Sequence, residues 1–403
     1  MEMTTTNWVN NSVLKWARER LGLTVDEVEI ISLNLQKEYI PIKADELRKW
    51  ENGIVQPDLE QLETLSEIYV CPVGYFFLDE PPQETLALSF RGLAPEKRGK
   101  LKPLSQQTLR RFLQLAEWTV FTIEKLGIDW QVSIKPAEET LSLRDMSAVN
   151  LLVEQERKRL SFSPSTRNSW ADPNQAFLWW RKRIEEQGIF CFQMKLEPDD
   201  IRGTAKWMQS RYPFILVNHQ DVESATGRIF TLLHEYYHLL TAEEGIICDF
   251  RGLHPHEGPE PFANRFAAGM LVSQEEVEGR LREIGKFGRM ESWPDQVLDE
   301  VRQPLFVSRD VIAITLQEMN LAPRDFYQKK RLQWEKRRPW GRGGGRRSTK
   351  KELKLREIGF SLARVLSLPE KKTSVPLDDL SYVLDMKIEK VPEFLNWAER
   401  EVH

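Results

Sequence analysis

The sequence predicts a multidomain, mainly α-helical protein with one α+β domain, in which a small sheet packs on an apolar helix. Three observations lead there. A chain of 403 residues is too long for one compact core, so two or three domains are expected. Helical periodicity dominates the first 160 residues, with capping residues at the start of the repeats. Two short strand-type runs, 188–192 and 213–218, then precede a helix without glycine or proline at 230–240, the order expected of an α+β unit.

Composition excludes several classes. Hydrophobic residues make up 41% and charged residues 29%, and the formal net charge is −4, so the whole molecule has no bias toward nucleic acid or membrane. The start, Met1-Glu2-Met3-Thr4, lacks the basic and apolar regions of a signal peptide. No apolar stretch approaches the roughly 20 residues that cross a bilayer. Three cysteines, Cys71, Cys191 and Cys248, are widely separated and lack CxxC spacing, which argues against disulfides and a cysteine zinc site. The expectation is a cytoplasmic, reduced protein with no membrane partner. The 13 tryptophans are read as core and domain-contact residues.

Residues 1–85 form the first expected domain. Ser12 to Ala17 starts a helix that Leu21-Gly22 closes. Thr24-Val25-Asp26-Glu27 has the cap-then-acid pattern of a second. A third runs from Ala44 through Trp50 and stops at Asn52-Gly53, and Pro57-Asp58-Leu59 opens a fourth with Leu59, Leu62 and Leu65 on one buried face. Residues 86–165 are expected to connect, through a surface segment to about Lys102 and helices near 104–126 and 145–160. The α+β domain is placed at 166–328. Residues 329–351 hold eleven Lys or Arg against one Glu, with Gly341-Arg342-Gly343-Gly344-Gly345, and read as a solvated basic linker. Residues 352–403 read as closing short helices.

The chemistry is concentrated in Phe230-Thr231-Leu232-Leu233-His234-Glu235-Tyr236-Tyr237-His238-Leu239-Leu240. On a helix, His234 and His238 leave the same face one turn apart. Two neutral imidazoles so spaced suit two corners of a tetrahedral Zn2+ site. Glu235 stands about 100° round from His234, where it can take a proton from a water on the metal without being a ligand. The bland alternative is a pair of core histidines satisfied by carbonyls. A catalytic zinc site needs a third ligand. Thr241 and Glu244 stand where a metzincin has glycine and its third histidine, which excludes that continuation. Glu243, Glu244, Asp249, His254, His256, Glu257 and Glu260 are the downstream candidates, and Glu260 is preferred. It starts Glu260-Pro261-Phe262-Ala263-Asn264-Arg265-Phe266-Ala267, where Pro261 suits a first helical turn and small residues allow close helix packing. His254 and His256 are read as exposed or substrate-adjacent.

Two resemblances emerge from these residues. Leu47-Arg48-Lys49-Trp50-Glu51-Asn52-Gly53 followed by Gln56-Pro57-Asp58-Leu59 resembles the helix-turn-helix domains of Cro/repressor (XRE) type. DNA is left open as a partner, because Asp45, Glu46, Glu27 and Glu29 would repel phosphates; the alternative is a protein-contact or dimerisation module. The His-Glu-x-x-His helix, the 213–218 strand and Glu260-x-x-Ala263-Asn264-x-Phe266-Ala267 resemble the ImmA/IrrE family of zincin-like metallo-endopeptidases. The resemblance implies His234, His238 and Glu260 as Zn2+ ligands and Glu235 as general base. It also implies limited proteolysis of a protein partner, a helix-turn-helix repressor in a stress or mobile-element response. Two departures stand out: Phe262 replaces a common second glutamate, and Tyr236-Tyr237 replaces a usually smaller pair and is expected to narrow the cleft. The competing readings are a DNA-binding regulator and a toxin–antitoxin-type partner, each using the peptidase-like domain only for sensing or binding.

Overall fold

Four short helices begin the chain: α1 (Asn11–Glu19), α2 (Val25–Leu33), α3 (Ala44–Glu51) and α4 (Leu59–Tyr69), followed by a 3-10 turn, Val73–Phe77. The computed structural model describes residues 8–19, 23–33, 35, 39–69, 71, 73–81, 101–135, 145–197, 201–219, 225–241, 247–248, 260–286, 288–336, 348–368 and 375–402. The chain divides into two units, Met1–Ala87 with Ala94–Gln114, and Leu88–Leu93 with Leu115–His403.

The first unit closes around Leu14, Val28, Leu47, Trp50, Leu65, Ile68 and Phe76. Its helix starts are capped reciprocally, Thr24 with Glu27 and Asp58 with Gln61. Gly53, at φ +69°, ends α3 where the sequence expects the stop. Leu59 departs from expectation. It opens α4 beside buried Leu62 and Leu65 but is 61% exposed, because it stands on the first turn, at the rim of the bundle. The closing pair Leu21-Gly22 lies outside the described residues.

Helix α5 (Pro103–Lys125) carries its apolar stripe at Leu109, Phe112, Ala116 and Val120. In the second unit, α6 (Met146–Arg159) is capped by Asp145 and α7 (Pro173–Glu185) by Asp172. A four-stranded sheet follows in the order β1-β3-β2-β4, with β1 (Phe190–Met194), β2 (Gly203–Met208), β3 (Tyr212–Asn218) and the two-residue β4 (Ile247–Cys248). Strand β3 is central, parallel to β1 and antiparallel to β2, and all seven of its residues are buried. Both of its faces are therefore covered, which explains its near-continuous apolar sequence. One face meets α8 (Ala225–Leu240); the other carries Phe190, Phe192 and Phe214, stacked on one another and on Trp130. Asn218, at the end of β3, clasps the turn into β2: its side chain bonds Leu196 N and O and Ile201 O, each at 3.1 Å.

Beyond the sheet come α9 (Glu260–Leu271), α10 (Gln274–Glu283), α11 (Asp295–Arg302), α12 (Arg309–Glu318) and α13 (Phe326–Lys336). One continuous core runs from Ile134 to Trp334, so α6 supplies Val149 and Val153 to the same cluster as α8 and α9. Of the basic stretch 329–351, residues 337–347 lie outside the described set. The chain then forms α14 (Lys350–Ser367), α15 (Leu377–Leu384) and α16 (Val391–Val402). Helix α14 breaks at Gly359, φ +84°, where a side chain would collide with Glu185, Arg181 and the Cys191 carbonyl. The break frees two helix-start amides, Phe360 N and Ser361 N, and the buried Glu185 carboxylate accepts from both. The C-terminal segment is thus docked against β1, an edge strand, which shields it from pairing with other chains.

Candidate metal centre

Every residue of α8 except Arg228 is buried, because the helix lies between the sheet and helices α7 and α9. That position explains apolar residues on all its faces and makes the polar exceptions informative. His234 and Glu235 are 0% exposed and His238 is 1% exposed. Helix α9 crosses α8 with Ala263 and Ala267 buried between them, and its first residue, Glu260, reaches the histidines.

The three side chains converge. His234 Nε2 lies 3.1 Å from His238 Nε2 and 3.2 Å from Glu260 Oε2, and His238 Nε2 is 3.6 Å from Glu260 Oε1. A tetrahedral zinc with bonds of about 2.0–2.1 Å holds its ligands roughly 3.3 Å apart, so these separations are those of three ligand atoms around one ion. The donor set, two imidazoles and a carboxylate with ligand atoms within 4.8 Å of one another, also fits. Burial lowers the His234 pKa, only partly offset by the Glu260 carboxylate, so the ring is neutral at neutral pH, the form that binds metal. Its other nitrogen, Nδ1, is 3.1 Å from Asn264 Oδ1. An amide oxygen only accepts, so Nδ1 carries the proton and the Nε2 lone pair faces Glu260. A lone pair and a carboxylate oxygen at that range repel unless a cation or a proton lies between them.

Residues 184–316 match the model of the Peptidase_M78 family, the IrrE N-terminal-like domain. The match takes in the sheet, α8 and α9, so a metallopeptidase-like domain occupies this stretch. Comparison of the chain with curated proteins and with solved structures returns no match.

Within this M78-like domain, the structure brings together His234, His238 and Glu260, with Glu235 next to His234 on α8. The other sequence candidates, Glu243, Glu244, Asp249, His254, His256 and Glu257, lie outside the described residues. The two tyrosines behave differently from expectation. Tyr236 is buried and donates to Glu156 Oε2 at 2.6 Å, while the Tyr237 ring packs 5.4 Å from that of Phe266. They fill the interface with α6 and α9 rather than narrowing a cleft, because that side of α8 faces those helices. Burial, with the neighbouring Glu156 carboxylate, holds the Tyr236 hydroxyl well above its usual pKa and keeps it a donor. Two residues beside the site take no role from the sequence, although Asn264 stands in the family-like motif. Asn264, one turn after Glu260 on α9, carried a signal in that spacing. Gly203, in β2, carried none.

Proposed function

We propose that this protein is a zinc-dependent endopeptidase, with His234, His238 and Glu260 as metal ligands and Glu235 as general base. The observation that carries the reading is the convergence of two imidazole Nε2 atoms and one carboxylate at 3.1–3.6 Å where α9 packs on α8. When bound, zinc supplies Lewis acidity toward water and toward the scissile carbonyl. Glu235 accepts the proton of the attacking water and passes it to the leaving amine. Asn264 fixes the His234 tautomer, and the buried setting strengthens each charge interaction.

The substrate is proposed to be a specific protein partner, a helix-turn-helix repressor cleaved at a limited site in a stress or mobile-element response. The resemblance of 47–59 to repressor domains supports that partner class. The N-terminal unit itself is better read as a partner-contact module than as a DNA reader. Arg48, on α3, is held at 2.8 Å by both Asp26 and Asp45, carboxylates that would face phosphates. Sequence-selective duplex binding at moderate salt, measured by fluorescence anisotropy, would overturn this part.

The deciding experiment is elemental analysis of the purified chain beside a His234→Ala/His238→Ala variant. About one zinc per chain in the wild type and little in the variant is the expected result. No metal in either, after incubation with zinc, would make the histidines structural. Glu235→Gln should keep the metal and lose at least about a hundredfold in cleavage rate; full activity would remove Glu235 from its role.

A further inference from the structure

Gly203 opens β2, opposite Val217 on β3 and Cys248 on β4. Its backbone is outside the left-handed region, so nothing in its conformation calls for glycine. The space around it does. A Cβ there would lie 2.8 Å from Glu235 Oε1, 2.9 Å from Glu235 Cγ and 2.8 Å from Thr231 Cγ2. Thr231 and Glu235 are four apart on α8 and so share a face, and β2 passes directly against it. The contact is fixed from the strand side as well. The Asn218 amide takes the Arg202 carbonyl at 2.7 Å, and its side chain holds Ile201, the two residues before Gly203.

We infer that Gly203 is a positioning residue, whose missing side chain forms the slot that holds the Glu235 carboxylate in place. This rests on the metallopeptidase reading. Any side chain at 203 meets both neighbours at under 3.0 Å, so both have to give. Thr231 is β-branched and stiff in a helix, whereas the Glu235 carboxylate sits at the end of a flexible chain. Glu235 is therefore the group that moves further. The three atoms nearest that Cβ belong to Glu235 and Thr231 and none to His234, His238 or Glu260, so metal binding is expected to stay intact.

The test uses full-length protein loaded with cobalt(II) and titrated with acetohydroxamate, whose proton the general base accepts while the cobalt spectrum reports binding. Gly203→Ala should keep the metal stoichiometry and bind acetohydroxamate at least about tenfold more weakly, the loss of one hydrogen bond to a charged group. In a Glu235→Gln background the same substitution should change nothing further. If Gly203→Ala does not fold, Gly203→Ala/Thr231→Ala is used instead, since it removes the Thr231 contact and keeps the one to Glu235. Equal losses in both backgrounds, or no loss in either, would overturn the inference. Failure of the wild type to bind cobalt or acetohydroxamate would instead overturn the metallopeptidase reading beneath it.

Discussion

Arg181 and Glu185 on α7, and His234, His238 and Glu260 on α8 and α9, are both clusters of ionisable groups drawn into the interior of the second unit, yet they end with opposite needs. In the first, donors meet acceptors. Arg181 donates to the Cys191 carbonyl, to Gln193 at 3.2 Å and to the Arg356 carbonyl at 2.5 Å. Glu185 accepts from Phe360 N at 3.2 Å and Ser361 N at 3.4 Å. Burial still pushes the Glu185 pKa up, against Arg181 and these amides. In the second cluster an imidazole lone pair faces a carboxylate, an arrangement that the proposed cation would complete. A balanced buried cluster ties elements together, whereas converging acceptors mark a place for a ligand.

The largest way to break this contrast is to unbalance the first cluster. Arg181→Met leaves Glu185 buried without its partner and should cost about 3–5 kcal/mol in urea denaturation, with zinc stoichiometry unchanged in whatever fraction folds. Loss of zinc from a normally stable variant would mean that the two clusters are not independent. Next comes Asn264→Ala, which frees the His234 ring to turn. Zinc affinity, measured by competition with a chelator, should fall about 10- to 100-fold, and an unchanged affinity would deny Asn264 its orienting role.

A smaller effect concerns protons. The folded-state pKa of His234 is depressed below its ordinary 6.5, so the unfolded chain binds more protons in that window. The stabilisation is fully present above pH 6.5 and is lost as pH falls toward the depressed value. One such group contributes a slope of at most about 1.4 kcal/mol per pH unit. Denaturation midpoints of the metal-free protein at pH 7.5 and 5.5 should show the drop, and His234→Asn should reduce it, leaving the share of His219, whose pKa burial also lowers. A wild type without pH dependence would show that the ring is not buried neutral. Smallest is Tyr236→Phe. Glu156 loses one donor but keeps Arg159 at 3.0 Å, so the cost should be about 1 kcal/mol, with metal binding unaffected.

The legible part of this protein is what chemistry writes locally. Helix ends were readable because capping is a matter of a few neighbouring residues: Thr24 with Glu27, and Gly53 at its positive φ. The histidine pair was readable because one helical turn spans four residues. Strand β2 was missed. Gly203-Thr204-Ala205-Lys206-Trp207-Met208 is neither a continuous apolar run nor a clean alternation, and its partner β3 pairs with it along its whole length. Pairing across strands, which no local pattern records, makes it a strand.

The sequence by itself determined most of the helix positions and the two histidines on one helical face, because each follows from periodicity within a turn or two. It pointed to Glu260 through the helix start that Pro261 marks. Only the tertiary structure decided that Asn264 holds His234, that Tyr236 turns inward to Glu156, that β2 comes close enough to leave room for nothing larger than Gly203, and that the break at Gly359 offers two amides to Glu185. These are meetings of residues from 30 to 176 positions apart. Which distant groups share a cavity is set by how whole helices and strands pack, and no local spacing encodes it.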